Sequence, residues 1–150
     1  MKTAGDHLLL LNEKDNGFGL FKNPSFNFDS AAGIIYTVDV TKPQGEKIDV
    51  QCMADGRPFE FDKMYRVAVN SYRGNGGGDL LTKGAGIPKQ ELAKRIVFAT
   101  DKDLRYYLMK RIEEVKVLHP EPLNQWKFIP ETWTVPAVKR DYKLLFEKRK

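Results

Sequence analysis

The residues best suited to chemistry crowd into one stretch, Asn70-Ser71-Tyr72-Arg73-Gly74-Asn75-Gly76-Gly77-Gly78-Asp79, in which four glycines separate an aromatic ring from a carboxylate. Glycine clusters can cradle phosphate, because a backbone without Cβ atoms can turn successive amides toward an anion. The spacing here fits neither phosphate-loop pattern. Lys83 follows Gly78 by five residues with no glycine at the offset GxxxxGK[ST] requires, no GxGxxG is formed, and Gly84-Ala85-Gly86 runs into Ile87-Pro88. A second aromatic group, Phe26-Asn27-Phe28, precedes a separate strand-like run. Two rings on loops can sandwich a planar base, each stack contributing roughly 1–3 kcal/mol. A carboxylate such as Asp79 can accept charge-assisted hydrogen bonds from both hydroxyls of a ribose. The plainer account is a strand-to-helix connection whose glycines supply positive φ, with the aromatics as lids on a core.

Other chemistry is poorly supplied. The two histidines, His7 and His119, stand at opposite ends of the chain without a metal-ligand partner at helical spacing, which argues against zinc or dinuclear hydrolysis. His119, next to Pro120, suits a helix C-terminus, where the dipole favours it. Ser25, Ser30 and Ser71 could be written into a triad on paper, but no nucleophile elbow surrounds any of them. The lone Cys52 excludes an internal disulfide framework and reads as a small buried thiol.

The elements that must position the glycine loop follow from patterning. Asn16-Gly17 separates Leu8–Leu11 from Phe18–Phe21 and predicts a short hairpin. Gly33–Val40 and Lys47–Met53, joined across Thr41-Lys42-Pro43-Gln44-Gly45, predict an antiparallel pair. Met64–Val69 reads as a central strand leading into the loop. Pro88 opens a helix with Leu92, Ile96 and Val97 at helical spacing. Thr100-Asp101-Lys102-Asp103 caps another, whose stripe Leu104, Leu108, Ile112 and Val115 reads as core and which stops at His119-Pro120. Pro120, Pro122, Pro130 and Pro136 then punctuate an extended segment that Trp126, Phe128 and Trp133 dock on the body. Strands followed by helices predict an α+β fold.

The 150 residues carry 41% apolar and 30% charged side chains, the composition of one folded domain and not of a disordered chain. The formal charge of +5 invites a nucleic-acid partner. Its distribution withdraws the invitation: residues 139–150 hold six bases and two acids, leaving only +1 on everything before them. We therefore expect a domain over residues 1–138 and a solvated basic tail over 139–150. The apolar run Leu8–Leu11 is too short for a signal-peptide core or a bilayer span, so no membrane is expected.

At the glycine loop the sequence resembles the C-terminal domain of the 5'-nucleotidase family, which includes UDP-sugar hydrolases and 2',3'-cyclic-nucleotide phosphodiesterases. Tyr65-Arg66-Val67-Ala68-Val69-Asn70-Ser71-Tyr72-Arg73-Gly74-Asn75-Gly76-Gly77-Gly78-Asp79 is similar to the family's Y-R-V-A-x-N-x-F-x-x-N-G-G-D signature. Phe28-Asp29-Ser30-Ala31-Ala32-Gly33-Ile34, leading into Asp39-Val40-Thr41-Lys42-Pro43, is similar to its F-x-x-x-G-G-I strand and D-x-S-R-x-P turn. With Gly56-Arg57-Pro58 the resemblance spans roughly residues 6–118. Tyr72 stands where Phe is commoner, and three consecutive glycines replace two, which shifts Asp79 by one residue.

The resemblance implies a nucleoside or nucleotide ligand whose base is clamped by Phe28 and Tyr72 and whose ribose is met by Asp79. Ser30 falls where some members place a base-contacting polar residue, and Asn75 and Gly78 are further contacts on the loop. It also implies hydrolysis of a phosphate ester by metal-activated water on a separate metallophosphoesterase domain. That domain's D-x-H and G-N-H-[ED] motifs do not occur here, nor does the upstream part of this domain that supplies substrate-binding arginines. The expectation is thus a substrate-holding part with no catalytic residue and no cofactor of its own. Divalent metals are expected on a catalytic domain in cis or trans, and a periplasmic or cell-surface location by likeness to the family. The alternatives are a nucleic-acid-binding protein using the basic tail, or a partner subunit of a metallophosphoesterase.

Overall fold

The computed structural model of the chain describes residues 9–11, 19–21 and 28–147. It divides into two compact units, one from residues before 64 together with 124 onward, the other from 64–123. Strands and helices in these units make the fold α+β, as the sequence predicts.

The first unit is built on a three-stranded sheet. β3 (Ile34–Asp39) pairs antiparallel with β4 (Ile48–Met53), as expected, and the register shifts by a bulge between Ile35 and Tyr36. β5 (Trp126–Ile129) adds on the other side of β3 in parallel, matching Tyr36 with Trp126 and Val38 with Phe128. Because β3 is central, its β-branched and aromatic run Tyr36-Thr37-Val38 is buried on both faces. The β3–β4 turn is closed by Asp39, whose Oδ1 accepts hydrogen bonds from the Thr41 amide (2.9 Å) and hydroxyl (2.6 Å). Beneath it the buried Lys47 ammonium donates to the Val40 and Lys42 carbonyls. Two further strands, β1 (Leu9–Leu11) and β2 (Gly19–Phe21), pair antiparallel as the predicted hairpin. Its Asn-Gly turn lies outside the described residues.

The C-terminal segment corrects one expectation. Residues 131–146 are not extended but form a helix, α3 (Glu131–Phe146), which runs through Pro136 and across residue 138. Pro136 removes one interior amide, and the rest of the helix carries it. Trp126 and Phe128 dock through β5, whereas Trp133 rides on α3, mostly exposed. Cys52, read as buried, is only half-buried, because β4 is an edge strand.

The second unit contains a single-turn helix, α1 (Ser71–Gly74), a series of tight 3-10 and π turns from Gly77 to Arg95, and α2 (Leu104–Val115). The cap of α2 falls at the end of the expected Thr100–Asp103 stretch, on Asp103, whose side chain accepts from the Tyr106 amide. Four expectations fail here. Met64–Val69 is not a strand: a ladder needs a neighbour, no described strand bonds to it, and Met64, Val67 and Val69 are exposed. The helix expected after Pro88 is two 3-10 turns, with Pro88 at the cap position and Ile96 already extended; among its apolar residues only Leu92 is buried. The α2 stripe is not core, since Leu104, Leu108 and Ile112 are all exposed. α2 stops at Lys116, which takes a positive φ of 63°, so His119 lies beyond the helix and not at its C-terminus. Among the described residues no helix is long and apolar enough to cross a membrane.

Candidate functional site

The glycine loop is organised from its first residue. Asn70 accepts the Arg73 amide at 2.9 Å through its side chain, the bond that starts α1 and fixes where Tyr72 leaves the chain. Arg73 is only 5% exposed. Its guanidinium lies over the Tyr72 ring, with Cζ 5.2 Å from the centroid, and its Nη1 donates to the Gly77 carbonyl at 3.1 Å. Asn75 closes α1, its amide bonded to the Ser71 carbonyl, and its side chain is exposed.

The three consecutive glycines have different reasons to be glycine. Gly76 (φ 88°) and Gly78 (φ 67°) take left-handed backbone that a Cβ would disfavour. Gly77 does not, but a Cβ there would fall 2.5 Å from Cε2 and 2.6 Å from Cδ2 of Tyr72, and 2.6 Å from its carbonyl oxygen. The ring rests against bare backbone and stays half-exposed, at 51%. Asp79 follows in the same left-handed region, φ 62°. Its carboxylate accepts from Lys83 Nζ at 2.8 Å and Thr82 Oγ1 at 3.4 Å.

Phe28 and Ser30 belong to the sheet unit. The Phe28 ring packs at 6.0 Å from Trp126 and 6.4 Å from Phe128, and part of it remains exposed. Trp126 is in turn stacked on Tyr36 at 5.9 Å. The stretch after Phe28 is held by two bonds: the Ala31 amide to the Tyr36 hydroxyl (3.0 Å) and the Gly33 amide to Gln125 Oε1 (2.8 Å). Ser30, just before them, is exposed.

The structure therefore gathers Tyr72, Asn75, Gly78 and Asp79 on one loop of one unit, and sets Phe28 and Ser30 on the other unit. Sequence reasoning missed the groups that hold the rings: Arg73 under Tyr72, and Trp126, Phe128, Tyr36 and Gln125 around Phe28 and the residues after it. Arg73 had a local signal, an Arg directly after the aromatic and three residues from an N-capping Asn. The Trp126 contact had none, because it arises from pairing two strands distant in sequence. Among the described residues no three His, Cys, Asp or Glu side chains converge, so these residues do not fit a divalent-metal centre.

Residues 4–83 match the profile of the 5'-nucleotidase C-terminal domain, more than half of the chain and including the whole glycine loop. The chain belongs to this family. It is also 31% identical over 121 residues to the trifunctional nucleotide phosphoesterase protein YfkN of Bacillus subtilis (strain 168), an alignment covering 73% of this chain. The chain spans about 8% of the length of that relative. No solved structure matches it significantly. As a 5'-nucleotidase C-terminal domain, the chain keeps the family's α+β character in the three-stranded sheet and its helices.

Proposed function

We propose that this domain is the nucleotide-recognition part of a 5'-nucleotidase-type phosphoesterase and that it holds a nucleoside base by stacking on Phe28 and Tyr72. The observation that carries the proposal is the state of Tyr72. Its ring is fixed by Arg73 and Gly77 yet half-exposed, the condition in which an aromatic side chain offers a face to a ligand without having to be ordered first. The Asp79 carboxylate, on the same loop as Tyr72, would accept from the ribose hydroxyls. Asn75, Gly78 and Ser30 would supply lesser polar contacts.

Phosphate-ester hydrolysis is then the work of a metallophosphoesterase domain, in cis or in trans, which brings the divalent metals. This chain's residues bind and orient the nucleoside. Titration of the 150-residue chain with adenosine and AMP tests the proposal. Phe28→Leu and Tyr72→Leu should each weaken binding by about 1–3 kcal/mol, roughly 5- to 150-fold. Binding that survives both substitutions unchanged refutes the stacking role. Metal-dependent phosphate release from AMP by the purified chain would refute the division of labour.

A further inference from the structure

Arg73 is the least expected residue of the loop. It is a long cation, 5% exposed, on a helix of a single turn, in a segment where neighbouring polar residues face solvent. A buried guanidinium is retained only where its charge and donors are engaged. Here one donor bonds the Gly77 carbonyl at 3.1 Å while the group lies over the Tyr72 ring. Tyr72 in turn rests so close on Gly77 that a Cβ there would fall only 2.5 Å from the ring, nearer than any side chain could be accommodated. Tyr72, Arg73 and Gly77 thus fix one another in a closed circuit: ring on guanidinium, guanidinium on carbonyl, and that carbonyl's own residue against the ring.

We propose that Arg73 is a positioning residue for base recognition. It occupies one face of Tyr72 and holds the ring at a single orientation, so that a base is read on the remaining face only. The consequence for binding rests on the base-stacking reading above; the orientation of the ring does not. Lysine is a poor substitute, because an ammonium cannot lie flat on the ring while directing a planar donor at Gly77. Cation–π contacts that are removed from water are strong enough for their loss to be read as a change of several-fold or more.

The test uses the 150-residue chain labelled with 3-fluorotyrosine, the Tyr72 resonance being assigned by its disappearance in Tyr72→Phe. In Arg73→Met the Tyr72 fluorine signal should shift and broaden toward that of an exposed tyrosine without any ligand present. The adenosine dissociation constant should rise about 3- to 30-fold. Arg73→Lys should recover only part of both effects. If Arg73→Met does not fold, Arg73→Lys decides by the same two readouts. A Tyr72 signal unmoved by substitution at Arg73 overturns the proposal, as does a moved signal with unchanged adenosine affinity. If the unsubstituted chain binds no adenosine, the stacking reading falls, and the fluorine signal alone upholds or overturns the role of Arg73.

Discussion

Substituting Gly77 by alanine isolates the packing of the loop from its backbone conformation. Gly77 is outside the left-handed region, so alanine carries no φ penalty there, and the whole effect must come from the added methyl. That methyl would meet the Tyr72 ring at 2.5 Å and the Tyr72 carbonyl oxygen at 2.6 Å. The ring could swing away, but the carbonyl is part of α1 and moves only with the helix. Over-packing of this kind costs about 1–3 kcal/mol, and the backbone component argues for the upper half of that range. Gly74→Ala is the internal control. It ends α1, three residues earlier, has no positive φ, and its Cβ would meet only Val69 Cγ2 at 3.9 Å. There alanine should be neutral or stabilising by up to about 1 kcal/mol, because it restricts the unfolded chain.

Amide hydrogen exchange reads the difference locally. The amides of Gly74, Asn75 and Gly76 are bonded to Asn70, Ser71 and Arg73 carbonyls at 2.9 Å and report the opening of α1 and its loop. Gly77→Ala should speed their exchange by roughly 30- to 150-fold, following from about 2–3 kcal/mol of lost protection. Gly74→Ala should leave the exchange of the other two equal or slower. Unchanged protection in Gly77→Ala, or an equal loss in both variants, would show that the ring does not rest on Gly77 and would remove the basis for a preset Tyr72.

Two predictions concern the β3–β4 turn. The Asp39 carboxyl is held below its ordinary value of 3.8 first by the Thr41 hydroxyl, then by the Thr41 amide, with smaller help from Lys42 and Lys47. Its contribution is therefore fully present above pH 3.8 and is lost as the pH falls below that value through the lowered one. Carboxyl-detected NMR titration should show Asp39 protonating at lower pH than an unperturbed aspartate, and Thr41→Val should move it back upward; no movement would rule out the hydroxyl as the cause. Lys47→Met strips the Val40 and Lys42 carbonyls of their buried donor and should cost the sheet unit about 1–3 kcal/mol in urea unfolding followed by tryptophan fluorescence, a loss that a surface lysine would not produce.

What the sequence made legible was what local chemistry decides. β-branched runs on either side of a Pro-Gln-Gly turn paired as read, and the start of α2 fell at the end of the Thr100–Asp103 capping stretch. What it hid depended on partners remote in sequence. β5 is a strand because it lies along β3 in parallel, and nothing within Trp126–Ile129 announces that neighbour. Met64–Val69 fails in the opposite sense, since its residues favour a strand while no described strand is there to complete it. The prolines misled for a related reason: four of them imply an extended tail, yet Pro136 sits inside a helix that tolerates one missing bond. In the candidate site the sequence pointed to Tyr72 and Asp79 by their chemistry, whereas the groups that pack on the Phe28 ring depend on pairing distant in sequence.

The extra glycine of the loop can now be given a physical meaning. Relative to the family signature it displaces Asp79 by one residue, and Asp79 is the residue that adopts left-handed backbone and accepts a bond from Lys83. Both cations of this stretch are thereby engaged by the loop itself, Arg73 at Gly77 and Lys83 at Asp79. The Lys83 pair is largely exposed, and such pairs contribute little and exchange readily with water, so a ribose hydroxyl can compete for Asp79 at small cost. If the loop holds the nucleoside as proposed, adenosine and AMP should bind the chain about equally, and markedly tighter binding of AMP would show that a loop cation is released to the phosphate.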